Sequence, residues 1–328
     1  MTELHASMSS AWTRRRLALA ALAGVAPAGW CAGIAGDKPI TLVVSYPAGG
    51  GADVMARLIA PHLSEALSQS VVVDNRPGAS GTIAAGLVAR AAPDGATLLL
   101  DASSYAVNPA LFAKLPYDPD TAFVPLAVLA QFPNVLVCTP DFDAKSVADV
   151  VRIARARPGG LSYASSGNGS AQHLAGVLFE QLAQVKLTHV PYRGGGPALN
   201  DVMGGQVPLF FANVASSLGQ IRAGRLRALA VTAGVRCRAL PDVPTMAQAG
   251  VPGYEVLEWN PVLAPSGLPT AARTRLTAAL ARAMADPEVL GRVRTLGGDA
   301  FSGDPAAFLS AQRLLWGRIV RERGISRD

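Results

Sequence analysis

The strongest constraint on this chain is a unit that recurs along it: an apolar run of strand length, a glycine- or serine-rich break, then apolar residues at helical spacing. Ile40 to Ser45 is the first run, Pro47-Ala48-Gly49-Gly50-Gly51 breaks it, and Met55, Leu58, Ile59, Leu63, Ala66 and Leu67 follow on one helical face. Residues 70–74 give a second strand, 75–81 a turn, 82–91 a helix and 97–101 a third strand. A second series starts near Asn134, with a strand at 135–138, a helix at 146–157 capped by Ser146, and a strand at 161–164. Ser165 to Ser170 then forms a polar turn, and Leu174, Val177, Leu178 and Leu182 mark a buried helical stripe. Residues 188–192 and the turn Arg193 to Pro197 repeat the plan, and 207–211 and 226–232 add strands. Residues 255–264 cross back, and 270–286, 287–296 and 304–323 read as helices. Alternating strands and helices imply parallel sheets covered on both faces. Two such lobes, joined by crossing strands near 134 and 258, place the glycine-rich loops at strand carboxyl ends, facing a cleft.

Half of the 328 residues are hydrophobic and 16% are charged, enough apolar surface for a sizeable core and too much for a disordered chain. Arg14-Arg15-Arg16 followed by Leu17 to Val25 reads as a signal peptide, a basic segment before an apolar run too short to span a bilayer. Cleavage fits after Ala28 or, preferably, after Ala35, by either the Sec or the twin-arginine route. Trp30 before Cys31 argues against a lipid anchor. Loss of residues 1–35 removes three arginines and Glu3, taking the net charge from +6 to +4. With four lysines in all and no basic cluster interleaved with aromatics, nucleic-acid binding has little support. Cys138 and Cys237 would be free to pair after export, but two isolated cysteines read first as buried thiols.

Enzymatic motifs fail in turn. Val54 stands where a dinucleotide fingerprint needs its third glycine, and no lysine follows a glycine as a phosphate loop requires. There is no Gly-x-Ser-x-Gly, and His62, His173 and His189 have no zinc spacing, so neither a metal nor a cofactor is expected. What remains is anion binding: a strand that ends in glycines and opens a helix presents free N–H groups at the positive end of the helix dipole. Residues 46–53 form one such loop and 165–170 another, with the hydroxyls of Ser165, Ser166 and Ser170 as further donors.

The runs Val43 to Arg57, Asp74 to Gly81, Pro93 to Leu99, Tyr163 to Gly176, His189 to Gly195 and Leu240 to Thr245 resemble the solute-binding proteins of tripartite tricarboxylate transporters, also called the Bug family. The resemblance spans nearly the whole mature chain. It implies a monomeric, non-enzymatic periplasmic receptor of the bilobal type II, Venus-flytrap fold, which closes on a small mono-, di- or tricarboxylate and delivers it to membrane permease subunits. On that fold, residues 36–133 with 258–328 form one lobe and 134–257 the other. The family's pattern places Tyr46, Ala48, Gly49, Gly50 and Asp53 against the ligand from the first lobe, and Ser165, Ser166, Gly167, Ser170 and His173 from the second. Ser103, Ser104 and Asn108 correspond to another wall, and Ala212 and Asn213 to a far wall. Asp53 also reads as a helix cap and His173 as a brace for its loop, while Arg193 is read as solvated rather than paired with a distal carboxylate. The chain departs from the family at Ser45-Tyr46, which adds two hydroxyls near the cleft, and at Ala212, where an acid would favour a ligand amine. Its absence favours plain carboxylates. A sensor that presents its liganded form to a membrane kinase fits the same sequence, and an exported α/β hydrolase lacks a nucleophile and base.

Overall fold

The computed structural model describes residues 38–323 and 325; the leader, both cleavage sites and Cys31 lie outside the described residues. Strands and helices alternate through most of the chain. They run β1 (Ile40–Val44), α1 (Gly51–Leu67), β2 (Val71–Asn75), α2 (Thr82–Ala89), β3 (Thr97–Leu100), α3 (Ser104–Leu111), β4 (Phe123–Cys138), α4 (Val147–Ala156), β5 (Ser162–Ser165) and α5 (Ala171–Ala183). There follow β6 (Thr188–Pro191), α6 (Gly195–Met203), β7 (Leu209–Asn213), α7 (Val214–Arg222), β8 (Arg227–Val231), β9 (Leu257–Pro265), α8 (Thr270–Ala285), α9 (Pro287–Thr295), β10 (Asp299–Ala300) and α10 (Pro305–Arg323).

Two parallel sets of strands are joined by antiparallel ones. β1 lies between β2 and β3, parallel to both, and β5 lies between β6 and β7, again parallel. β9 runs antiparallel to β3 and to the first part of β4, whereas the last residues of β4, from Asn134, pair with β7 and β8. One strand of 16 residues thus belongs to both sheets and changes partners at Pro133–Asn134. The expected parallel sheets are therefore mixed. The strand expected at 135–138 begins much earlier, at Phe123, because Pro125 and Pro133 interrupt its sequence signal. Proline is tolerated here since Pro125 adjoins a register shift and Pro133 sits at the change of partner.

β1, inside its parallel set, is buried on both faces, which explains its continuous apolar run: Ile40, Leu42, Val43 and Val44 are all essentially inaccessible. Trp259 on β9 is fully buried and meets Phe308 edge-on, with ring centroids 5.2 Å apart. Truncating it would cost about 3–5 kcal/mol. Ser146 caps α4 as expected, its Oγ accepting from Asp149 N–H and donating to Asp149 Oδ2, which also accepts from Lys145 N–H. Cys138 and Cys237 are buried free thiols. Among the described residues no helix is long and apolar enough to cross a membrane.

Candidate functional site

The ends of β1, β3, β5 and β7 and the starts of α1, α5, α6 and α7 meet at one pocket. It is lined by Tyr46, Gly50, Gly51 and Ala52 from the turn into α1, by Ala102 and Ser103 after β3, and by Ser166, Ser170, Ala171 and Gln172 from the turn into α5. Gly195, Asn213, Ser216 and Glu258 complete it. α1 and α5 are 17 and 13 residues long, so each aims a developed positive dipole end and unbonded first-turn N–H groups into the same space. Among the described residues two lining atoms, Ser103 Oγ and Asn213 Nδ2, are buried without a hydrogen bond of good geometry, although the Asn213 side chain lies against Glu258. A buried donor left unpaired costs roughly 1–3 kcal/mol, so this pocket is built to be completed by an acceptor.

The first loop is held from behind. Asp53 is buried and accepts from Gly49 N–H, Arg57 Nε and Asn75 Nδ2, each at 3.0 Å. Burial pushes its carboxyl pKa upward, but hydrogen bonds from Arg57, Gly49 N–H and Asn75 outweigh it and hold the group below the usual carboxylate range. Asp53 is the brace of its loop and does not line the pocket. The two additional hydroxyls are occupied internally, Ser45 Oγ donating to Asp101 and Tyr46 Oη to Ser104 Oγ at 2.9 Å.

The second loop is braced by a histidine pair. Ser170 Oγ accepts from His173 N–H as the α5 cap and donates to Gly167 O at 2.7 Å. His173 Nδ1 accepts from Gly169 N–H at 3.0 Å, and its ring stacks on His189 at 4.0 Å. His189 Nε2 meets Ser165 Oγ at 2.6 Å. Burial lowers His173 to about 4, and burial with the neighbouring His173 lowers His189 to about 3, so both rings are neutral at neutral pH.

The loops touch across the cleft. Gly194 has φ +140°, and a Cβ there would fall 2.3 Å from Pro47 Cδ; a Cβ on Gly51 would fall 2.8 Å from Asn213 Cγ. Only glycine permits both approaches. Ser80 Oγ donates to Asn168 O, and Asn108 Nδ2 supports this contact by donating to Ser80 O at 2.9 Å.

Of the residues singled out in the sequence, Tyr46, Gly50, Ser103, Ser166, Ser170 and Asn213 come together in the pocket, and Gly167 lines an adjoining one with Arg193. Ala48 and Gly49 are exposed and lie off the lining. Ser104, Asn108, Ser165 and His173 stand behind the wall as supports. Ala212 packs into an apolar cluster and presents nothing to the pocket. Gln172, Ser216 and Glu258 were not foreseen, and Glu258 supplies an acid from β9 in place of the one sought at position 212. Its only sequence signal was a charged residue inside the apolar run 256–264.

Two α/β halves sharing crossing strands, with polar loops converging between them, make the bilobal fold of periplasmic binding proteins. Residues 55–325 match the tripartite tricarboxylate transporter family receptor, and the chain belongs to this family of periplasmic binding proteins. It is 40% identical over 290 residues, covering 87% of this chain and 86% of its relative, to a UPF0065 protein in the tcbD-tcbE intergenic region of Pseudomonas sp. strain P51. Among solved structures it is similar to Rpa4515 of R. palustris with adipate, at 39% identity and a TM-score of 0.84, covering 88% of this chain and 98% of that one. MatC from Rhodopseudomonas palustris with bound malate is 33% identical with a TM-score of 0.81, over 86% of this chain and 99% of that one.

Proposed function

We propose that this chain is an exported receptor, freed of its first 35 residues, that closes as a monomer on a small carboxylate and delivers it to the permease subunits of a tripartite tricarboxylate-type transporter. The moving halves are residues 36–133 with 258–328 and residues 134–257. The observation that carries this reading is the pair of unsatisfied buried donors, Ser103 Oγ and Asn213 Nδ2, set between the N-terminal ends of α1 and α5. A carboxylate offers several acceptor sites, enough to satisfy both donors and to draw on the helix-start N–H groups. The adipate and malate complexes of its structural relatives support the same ligand class.

Thermal unfolding of the purified protein against mono-, di- and tricarboxylates, aromatic acids and amino acids tests the reading. A true ligand at 100-fold above its Kd stabilises the folded state by roughly 2.7 kcal/mol. Absence of any shift, in protein refolded to remove a co-purified ligand, overturns it. The transport role is tested by uptake of the acid so identified into vesicles carrying the permease, which should require the receptor.

A further inference from the structure

The cleft that attracts an anion also contains an acid. Glu258, on β9 beside Trp259, is 5% exposed and lines the pocket with Gly50, Gly51, Ser166 and Asn213. Its Oε2 accepts from Gln172 Nε2, which also reaches Asn134 Oδ1 at 3.0 Å. The Asn213 side-chain amide also lies against the Glu258 carboxylate and, like Gln172, favours the ionised form. Among the described residues no lysine, arginine or histidine forms an ion pair with Glu258.

The titratable groups around it offer no positive charge. Tyr46, from the β1 loop, has its hydroxyl on Ser104, and Asp101, at the end of β3, is a second buried acid, pushed up to about 6 by burial. His173 follows Gln172 on α5 but directs Nδ1 to Gly169 N–H, and Asp53 on α1 is held by Arg57. Ionised, Glu258 would be a buried charge with no cation beside it; burial raises its pKa and outweighs the lowering effect of the Gln172 and Asn213 amides. A bound anion in the same pocket raises it further, because like charges disfavour each other's ionisation.

We propose that Glu258 recognises the ligand as a protonated acid, donating its O–H to the captured carboxylate, so that binding is linked to a proton and selects carboxylic acids that lack an amine. The proposal rests on the carboxylate-receptor reading. The proton comes from solvent: where Glu258 is ionised in the empty cleft, one proton is bound with each anion, and the pair together carries one negative charge. As pH rises through the pKa of Glu258 that proton becomes scarcer, and affinity falls by at most tenfold per pH unit for a single site. Glu258→Gln retains the shape and a donor but has nothing to titrate.

The test is calorimetric titration with adipate, malate and aspartate between pH 6.5 and 9, where the two plain acids are fully ionised, on wild type and Glu258→Gln. The expected result is wild-type affinity for a plain acid that declines with pH, and a Glu258→Gln affinity that is flat and within a few-fold of the wild-type value at pH 6.5. A pH-independent wild-type affinity overturns the proposal. So does aspartate binding that exceeds both plain acids and is lost in Glu258→Gln, which would mean an ionised Glu258 paired with the amine.

If none of the three acids binds, the carboxylate reading is in difficulty, and Glu258 is judged separately by thermal unfolding of the empty protein. A folded-state pKa above the unfolded value gives stability that is complete at low pH and lost as pH rises through the folded pKa. Wild type should therefore lose more melting temperature than Glu258→Gln as pH rises from about 4.5 to about 9, with Asp101 common to both. Parallel curves overturn the proposal, and the wild-type titration stands by itself if the variant does not fold.

Discussion

Replacing Gly51 with alanine should weaken ligand capture while leaving the empty protein folded. The new Cβ would sit 2.8 Å from Asn213 Cγ and 2.9 Å from its Nδ2, closer than carbon atoms approach without something moving. Asn213 is not free to yield, because its Oδ1 accepts from Ala215 N–H at 2.9 Å and caps α7. In the closed form the alanine must either break this cap, worth about 1 kcal/mol, or misplace Nδ2, a donor for which a charged acceptor is worth roughly 1.5–3 kcal/mol. Partial relaxation of both leaves about 1–2 kcal/mol, or a five- to thirtyfold rise in Kd. In an open form the strain disappears, and alanine is a better helix former than glycine by up to about 1 kcal/mol. Calorimetric titration with a bound acid, paired with thermal unfolding without ligand, separates the two effects. An unchanged Kd, or a melting temperature several degrees lower with Kd intact, would show that α1 and Asn213 form a fixed core contact and not one made on closure.

Other consequences follow from the supports behind the pocket. Gly176→Ala should destabilise the protein by about 1–3 kcal/mol in chemical unfolding despite alanine's helix propensity, because its Cβ would lie 2.1 Å from the Tyr163 ring. Asp53→Asn should lower affinity and stability together, each by about 1–2 kcal/mol, since the amide cannot accept from Gly49 N–H, Arg57 and Asn75 with a charge; equal affinity would show the loop is held without it. The histidine pair makes stability fall in acid. The unfolded chain takes up protons near pH 6.5 that His173 and His189 refuse until about 4 and about 3, so stability is complete above 6.5 and is lost as pH falls towards 4. His173→Asn, whose side-chain oxygen can still accept from Gly169 N–H, should flatten that profile in thermal melts between pH 7 and 4.5, and an unaltered slope would count against burial as its cause.

The outlines of the fold were legible because glycine-rich turns and uninterrupted apolar runs mark buried parallel strands strongly. β1 and β5 begin and end within a residue of their expected limits, and α1 and α5 span the apolar stripes expected of them. The early part of β4 was not, since Pro125 and Pro133 read as breaks until a register shift and a partner change accommodate them. α3 and α7 went unassigned for a related reason: α3 contains Pro109, and α7 opens on small and polar residues whose start is fixed by the Asn213 cap. In the site, the turns were located but the direction of each side chain was not. Asp53 and His173 turn away from the cleft because local N–H groups claim them, and Ala212 and Asn213, adjacent on β7, face opposite sides of the sheet. Gln172 and Glu258 lie on elements that sequence could assign, yet 86 residues separate them, and only the tertiary fold brings them into hydrogen bonding.

The most direct measurement is calorimetric titration of ligand-stripped protein with adipate, malate and a wider panel of organic acids, repeated on the Ser103→Ala, Asn213→Ala double variant. The account predicts saturable one-to-one binding of at least one carboxylate, weakened tenfold or more when both unsatisfied donors are removed. Binding of no organic acid, or binding that the double variant leaves unchanged, would contradict it.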